Sequence, residues 1–422
     1  MEKYRNIISK ANYVAFLALL ASLPFPQPFI HFCWMVWIVT WLLEFRYLHK
    51  ENIQIDKRIL YISCGVVVWL LWNILSVFWA ENTEAVWNTV VRYVSLLTIP
   101  LAGIFGVNKH YNWYRCIRVL LLSCGVSLGV YMFTHYWVVN SSMAFNKHAA
   151  ATAIDWWHMD NLLLCIKHRM HYANLLCMLI PCLFIAHAKT RKLPIITGCI
   201  LIMMAIYMTG SRVALIYLVV LATITLCWFI LRQRKTWVKS VGIGAAVLVI
   251  VVGSFAGMML HPRNAGHSVT ELIRVDTENM NTPAFEPRFA IWHTALEQPE
   301  DYIMCGLGAG NATDYLVKRY EELGWKGFAE RQFSPHNQYL SVCMDLGVIA
   351  AVLFALFWIL LPLWFRAAQR YWVLCLTGIC MCSMMTDVLF GGLEGIVFIS
   401  VMAVLGMLMP NTYESNQLPQ AS

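Results

Sequence analysis

The stretch Ser334-Pro335-His336-Asn337-Gln338-Tyr339-Leu340 closes a polar loop and opens an apolar helix predicted near 336–365. A helix needs about 20 apolar residues to cross the hydrocarbon core of a bilayer, and this segment is long enough. Pro335 fixes the entry of the chain, so His336 is predicted at the mouth of a membrane span. An imidazole there can titrate near neutral pH and accept a proton from a hydroxyl group.

The composition is that of an all-α polytopic membrane protein whose main solvent is the lipid bilayer. Of its 422 residues, 59% are hydrophobic and 13% charged, and the mean hydropathy is +0.60. A soluble domain carries about 25% charged residues. The formal net charge is +8. Nucleic acid is nevertheless rejected as a partner, because the basic residues form short clusters between apolar runs instead of one basic face.

The apolar runs predict about twelve transmembrane helices. They lie near 11–26, 28–45, 59–79, 88–107, 113–134, 170–188, 193–209, 212–231, 239–260, 336–365, 371–389 and 391–410. Three parts follow from this pattern. Residues 1–260 hold about nine spans and an outer loop at 135–169, residues 261–335 form an outer lobe, and residues 336–422 hold about three spans and a short tail.

Lysine and arginine in the short loops predict the orientation. With the N-terminus inside, the inner segments are basic, whereas the outer turns at 23–28, 80–87 and 389–392 carry neither residue. Both termini are therefore expected in the cytoplasm and the lobe outside. Within the lobe, one helix is predicted to begin near Pro287 with Phe289, Trp292 and Leu296 on its apolar stripe, and another to follow Asn311 and end at Gly324.

Three residues are the main candidates for chemistry. Arg212 lies in a short outer turn, against the positive-inside bias, which favours anion binding over a simple interfacial anchor. Arg288 lies on the lobe helix, and alone it would be an ordinary solvated charge. His336 alone would be an ordinary interfacial histidine. Together, the three residues would place one base and two fixed cations at the same membrane face.

Supporting candidates surround this set. Arg169 opens the sixth span and is either a second cationic wall or an interfacial anchor. Asn337 adds a donor and an acceptor beside His336, and Glu394 lies near the outer end of the last span. Asp345 is about 13 Å from His336 along its helix, too far for direct contact. Asp387 is expected to face the protein interior.

Two further patterns bear on the type of site. Gly306-Leu307-Gly308-Ala309-Gly310-Asn311 is glycine-rich, but it follows no predicted strand, so a tight turn before a helix is favoured over a phosphate loop. The sequence contains no Asp-x-Asp. Membrane glycosyltransferases that use a divalent ion need acidic ligands for it. We therefore expect no metal and no cofactor, with arginines supplying the positive charge.

The order of four motifs resembles the O-antigen ligase and polymerase superfamily of bacteria. They are Thr209-Gly210-Ser211-Arg212, Glu286-Pro287-Arg288-x-x-x-Trp292, Gly306-x-Gly308-x-Gly310-Asn311 and Pro335-His336-Asn337-x-x-Leu340. The resemblance covers roughly 165–410, whereas the first five spans match only in hydropathy. It implies a helical bundle of about twelve spans with a large periplasmic loop, in the bacterial inner membrane.

The resemblance also implies an activity. Ligases of this superfamily move a glycan from undecaprenyl diphosphate to a sugar hydroxyl of lipid A–core, without metal and with inversion. On this sequence, Arg212 and Arg288 would bind the diphosphate and His336 would be the base. A polymerase of O-antigen or capsule repeats and a protein O-oligosaccharyltransferase stay open as alternatives. A secondary transporter is disfavoured, because no repeat symmetry is evident and the candidates lie at the outer surface.

Overall fold

The computed structural model describes residues 2–48, 57–105, 111–145, 169–186, 192–208, 212–232, 287–365 and 367–409. Within these ranges the regular structure is helical, and no strand occurs there. The predicted all-α class is confirmed for this part of the chain. The predicted span 239–260 lies outside the described residues, as do residues 146–168 and 261–286 of the two predicted outer loops.

Fifteen α-helices are described, and we number them in chain order. They are α1 Glu2–Ser22, α2 Gln27–Leu48, α3 Lys57–Leu75, α4 Thr83–Tyr93, α5 Thr98–Phe105, α6 Trp113–Phe145, α7 Arg169–Ala186, α8 Lys192–Met208, α9 Arg212–Arg232, α10 Pro287–Glu297, α11 Ala312–Glu322, α12 Lys326–Arg331, α13 Gln338–Leu360, α14 Ala367–Thr386 and α15 Leu393–Met407.

Four segments of the described chain are long and apolar enough to cross a membrane. They are Gln27–Phe45, Leu60–Phe78, Trp113–Val130 and Gln338–Trp364, and shorter apolar helices accompany them. These segments support a membrane protein, whereas the full number of about twelve spans stays a prediction. The outer loop predicted from residue 135 begins later, because α6 runs through Phe145.

The predicted span 88–107 is not one regular helix. Its first part belongs to α4, which already begins within the predicted outer turn because the Asn82 side chain accepts a hydrogen bond from Ala85 N at 3.2 Å. A 3₁₀ turn, Val94–Leu97, then separates α4 from α5. Arg92 consequently lies in the last turn of a short helix rather than inside a long membrane helix.

Antiparallel packing of α9 against α14 ties the middle of the chain to its end. The Tyr217 and Ser383 hydroxyl groups are 2.6 Å apart, and Thr225 Oγ1 lies 2.9 Å from the Tyr371 hydroxyl. As residue numbers rise along α9 they fall along α14. The start of α9 therefore lies at the same end of the bundle as the end of α14.

The lobe has a small core of its own. It is built from Ala290, Ile291, Ala295, Tyr302, Leu316, Tyr320 and Phe328, closed by Met344 of α13. Helix α10 confirms the predicted start near Pro287, but the predicted apolar stripe was wrong in part, because Leu296 is 60% exposed. Ala290, Ile291 and Ala295 face inward instead.

The residues 306–311, here called the glycine loop, join the lobe to the bundle. Gly306, Gly308 and Gly310 all have positive φ. A Cβ on Gly308 would lie 2.3 Å from Ala80 Cβ, and one on Gly310 would lie 2.4 Å from Thr89 Oγ1. The loop thus needs glycine both for its backbone conformation and for its close approach to the N-terminal half.

Hydrogen bonds from the glycine loop end on protein groups. Leu307 N donates to Met344 O at 2.8 Å, and Gly308 N donates to Asp345 O at 2.9 Å, beside a kink in α13 at Gly347. Asn311 precedes α11 as predicted, but its side chain bonds to the Asn82 backbone rather than to its own helix. The interpretation as a tight turn before a helix agrees with this geometry.

Candidate functional site

His336 and Asp387 form the centre of the candidate site. His336 Nδ1 lies 3.2 Å from Asp387 Oδ1, and the two side chains are 29% and 21% exposed. The same Oδ1 accepts a hydrogen bond from Val388 N at 2.8 Å, and Asp387 N donates to Ser383 O at 2.9 Å. The carboxylate is thereby held just after the end of α14, where it faces the imidazole just before the start of α13.

The geometry of this pair decides which ring nitrogen can act as a base. An ionised carboxylate only accepts hydrogen bonds, so the tautomer that fits an ionised Asp387 carries its proton on Nδ1 and donates a hydrogen bond to Oδ1. The lone pair of the neutral ring then lies on Nε2. Such a pair can take a proton at Nε2 while the carboxylate stabilises the charge that forms on the ring.

The backbone of His336 is in a conformation that L-residues seldom adopt. Its φ is +46°, and Gln332 is the other non-glycine residue with positive φ in the described ranges. Such a conformation costs on the order of 1–3 kcal/mol and persists only where its surroundings enforce it. Trp292 Nε1 supplies part of that enforcement by donating to Pro335 O at 2.9 Å.

Asn337 and Gln338 fix the chain immediately after the histidine. The Asn337 side-chain oxygen caps α13 by accepting from Tyr339 N at 3.0 Å and from Leu340 N at 3.1 Å. The buried Gln338 side chain accepts from Phe390 N at 2.8 Å. Asn337, predicted to support the site, is thus placed beside it in a capping role.

The turn between α14 and α15, residues 386–391, collects the contacts of the site. It provides Asp387 and the Phe390 amide described above. Arg288 of α10 joins them, because its Nε donates to Thr386 O at 2.9 Å. Arg288 therefore contacts the residue immediately before Asp387, whose carboxylate binds His336. We call this segment the 386–391 turn.

Arg92 is a cation at this turn that the sequence reasoning missed. It donates through Nη1 to Gly391 O, through Nη2 to Thr89 Oγ1 at 2.9 Å and through Nε to Asn88 O at 3.2 Å. One signal could have found it. An arginine inside a predicted span, like one in an outer turn, is rare enough to indicate a function.

Helix α9 begins at Arg212 and helix α7 begins at Arg169. The structure describes the backbone of these two residues but not their side chains. Ser383 Oγ bonds to the Tyr217 hydroxyl at 2.6 Å and donates to Asn174 Oδ1 at 2.9 Å. Tyr217 and Asn174 each follow those arginines by five residues, about 7.5 Å of helix. Both helices therefore start near the level of the 386–391 turn.

The acidic candidates occupy different environments. Glu394 lies in the first turn of α15 and is 3% exposed. Asp345 accepts a hydrogen bond from Ala312 N at 2.9 Å, so it caps the lobe helix α11 from the membrane helix α13. Asp387, expected only to face the interior, is the acid that contacts His336. In the described ranges no three His, Cys, Asp or Glu side chains cluster as metal ligands.

Part of the chain matches a known protein family. Residues 197–355 match the family model described as O-antigen ligase. A search of the curated proteins finds no match to the chain. The matched segment contains Arg212, Arg288 and His336, begins after Arg92 and ends before Asp387. This match over the middle of the chain supports a relationship to the O-antigen ligase-like superfamily.

Proposed function

We propose that this protein transfers a glycan from an undecaprenyl-diphosphate-linked donor to a sugar hydroxyl of lipid A–core, as an O-antigen ligase. The reaction would take place at the periplasmic face of the bacterial inner membrane. The observation that carries the proposal is the contact between His336 and Asp387 at the mouth of an apolar helix. The family match supports glycosyl transfer of this type.

The proposed step is a single displacement at the anomeric carbon. The acceptor oxygen attacks that carbon while its proton moves to His336 Nε2, and the bond from the carbon to the donor's phosphate oxygen breaks. Undecaprenyl diphosphate leaves with the bonding electrons. One direct displacement inverts the configuration and needs no carboxylate nucleophile.

Negative charge grows on the diphosphate as this bond breaks, and fixed cations would stabilise it. Arg288 is proposed for this role because its backbone-anchored guanidinium lies beside the His336–Asp387 pair. Arg212 is proposed because its helix begins at the same end of the bundle. Guanidinium groups stay charged and match phosphate oxygens in a fork, and such electrostatic stabilisation is usually the largest catalytic contribution.

Asp387 would act through His336 rather than on the substrate. By accepting from Nδ1–H, it holds the ring in the tautomer that presents the Nε2 lone pair to the acceptor. It then stabilises the imidazolium until the proton leaves. No divalent ion enters this mechanism, so we expect transfer to continue in the presence of a strong chelator.

The direct test is transfer by the purified protein in lipid nanodiscs. The lipid-linked donor is offered together with lipid A–core, with an acceptor peptide or with a second donor molecule. We expect product with lipid A–core, and His336→Ala should lower turnover about 10²- to 10⁴-fold, the usual contribution of a general base. Product only with a peptide or a second donor would instead identify a protein glycosyltransferase or a polymerase.

A second histidine provides the matched control. His293 of α10 is 68% exposed and pairs with Glu297 at 3.1 Å, away from the 386–391 turn contacts. His293→Ala should therefore keep wild-type turnover. Wild-type turnover by folded His336→Ala would overturn the proposed mechanism.

A further inference from the structure

Three buried side chains join helices that carry the candidate site. Ser383 of α14, Tyr217 of α9 and Asn174 of α7 are each 0% exposed. Ser383 Oγ donates to Asn174 Oδ1 at 2.9 Å and lies 2.6 Å from the Tyr217 hydroxyl. Because the Ser383 proton is directed at Asn174, the Tyr217 hydroxyl is the donor to Ser383. We call these three residues the serine network, whose hydrogen bonds run from α9 through α14 to α7.

The backbone of Ser383 supports the 386–391 turn. Its carbonyl oxygen accepts hydrogen bonds from Asp387 N at 2.9 Å and from Thr386 Oγ1 at 3.3 Å. Thr386 O in turn accepts from Arg288 Nε, and Asp387 contacts His336. One residue therefore holds both the carboxylate beside the proposed base and the anchor of a proposed phosphate-binding arginine, while its side chain binds two other helices.

The serine network also relates this turn to the other two candidate arginines. Arg212 and Arg169 each precede a member of the network by five residues, about 7.5 Å of helix. Asp387 follows Ser383 by four residues, about 6 Å of helix. The starts of α9 and α7 and the carboxylate are therefore placed at one end of the bundle by a single set of hydrogen bonds.

Net stability does not explain this network. Asn174 Nδ2 is buried and has no hydrogen-bond partner within the part of the chain that the structure describes, and a buried donor without a partner opposes folding. Hydrogen bonds between membrane helices add little stability on average, because the separated helices find other partners. An apolar side chain in place of Asn174 would leave no unpaired donor. The polar contact therefore favours a role in fixing the register of the helices.

We propose that Ser383 is a positioning residue for glycosyl transfer, with Tyr217 and Asn174 as its partners. The inference deepens the proposed function and rests on it. By fixing α7 and α9 against the end of α14, the network would hold the arginines at a set distance from the base. A displacement of about 1 Å can lower a rate about 100-fold, so hydrogen bonds that add little stability can still control turnover. Ser383 and Asn174 lie outside the segment that matches the family model.

The same helix pair offers a matched control. Thr225 of α9 and Tyr371 of α14 form a second hydroxyl pair, with the oxygens 2.9 Å apart. Tyr371 precedes Ser383 by twelve residues, about 18 Å of helix, so this pair lies far from the 386–391 turn. Tyr217→Phe and Tyr371→Phe therefore each remove one buried hydroxyl from the contact between α9 and α14, the first near the site and the second far from it.

The first measurement is steady-state glycan transfer by the full chain in nanodiscs. We expect Tyr217→Phe and Ser383→Ala to lower kcat about ten- to 100-fold with an unchanged KM for the donor, whereas Tyr371→Phe keeps wild-type kcat. All three variants should have similar melting temperatures. The double variant should be no slower than Ser383→Ala, because both changes break one network. Equal kcat in the two tyrosine variants, or wild-type kcat in Ser383→Ala, would overturn the inference.

The second measurement needs no transfer, so it separates this inference from the proposed function. In protein labelled isotopically at the histidine ring nitrogens, the resonances of His336 are identified by their loss in His336→Ala. We expect Ser383→Ala to shift them, because Asp387 moves with the end of α14, and Tyr371→Phe to leave them in place. Such a shift in a protein that transfers no glycan would contradict the proposed function and leave the positioning by Ser383 standing. Unshifted resonances would contradict that positioning even in an active enzyme.

Discussion

The glycine loop, 306–311, and the 386–391 turn are the two short connections on which this molecule depends. The loop has a sequence that looks like a phosphate site, yet its amides at Leu307 and Gly308 bind backbone oxygens of α13. The turn has no recognisable motif, yet it receives Arg92, Arg288, His336 and Gln338 from three distant parts of the chain. One connection joins the lobe to the bundle, and the other assembles the site.

The difference shows which structural requirements can be recognised in a sequence. A backbone that must adopt positive φ three times in close contact requires glycine at each position, and that requirement is visible as a pattern. A turn that is held by side chains reaching it from elsewhere requires no particular spacing of its own. A conspicuous motif therefore indicates a constrained backbone before it indicates chemistry.

The largest effect is expected from a substitution in the 386–391 turn. Asp387→Asn keeps the shape of the side chain but can present an amide donor to Nδ1, which favours the tautomer with its proton on Nε2. We expect kcat to fall about 10²- to 10⁴-fold while the melting temperature stays near that of the wild type. Steady-state kinetics with the lipid-linked donor and a thermal unfolding scan measure both quantities.

Asp301→Asn is the control for this change. Asp301 accepts from the Tyr315 hydroxyl at 2.8 Å on the surface of the lobe, so its loss should leave kcat unaltered. If Asp387→Asn retained full turnover, the carboxylate would have no orienting role and the turn would be a structural connection like the loop.

The next largest effect is expected from a substitution in the glycine loop, which should lower stability far more than activity. Gly310→Ala combines a φ of +81° with a Cβ 2.4 Å from Thr89 Oγ1 and 2.8 Å from Ala85 O. We expect the free energy of unfolding to fall by at least about 2 kcal/mol, from left-handed strain and overpacking together. The activity per folded molecule should change far less than in Asp387→Asn.

Gly324 separates the two contributions. It has a φ of +73°, but a Cβ there has no neighbour within 4 Å. Gly324→Ala should therefore cost only the strain of the backbone, about 1–2 kcal/mol. A Gly310→Ala protein as stable as Gly324→Ala would show that the loop does not pack tightly against α4.

The smallest expected effect concerns Arg92, which contacts the turn at Gly391, whereas Arg288 contacts it at Thr386. Arg92→Lys keeps the charge but loses the planar fork that bonds Gly391 O, Thr89 and Asn88 together. We expect kcat to fall less than tenfold, a loss below about 1.4 kcal/mol, since the charge is kept and the weakened contact acts only through the turn. Turnover assays in nanodiscs measure this change.

Arg115→Lys, on the exposed surface of α6, is the matched control and should have no effect. A loss with Arg92→Lys as large as that with Asp387→Asn would contradict a merely positional role. It would place the Arg92 guanidinium on the substrate itself.

Much of the fold follows from local pattern, whereas the site only partly does. The bounds of α10 and α11 were predictable because Pro287 and Gly324 mark helix ends through their own backbone preferences. The break of the predicted span 88–107 was not, since its start depends on the cap at Asn82. The contact between His336 and Asp387 joins residues 51 apart, and that between Arg92 and Gly391 joins residues 299 apart. No local spacing records such contacts.

The position of Asp387 after His336 also has a consequence for biogenesis. The histidine, the lobe and both motif arginines are synthesised before α14, and the carboxylate that orients the imidazole arrives only with the end of that helix. A nascent chain therefore carries an incomplete site until its last pair of apolar helices has entered the membrane.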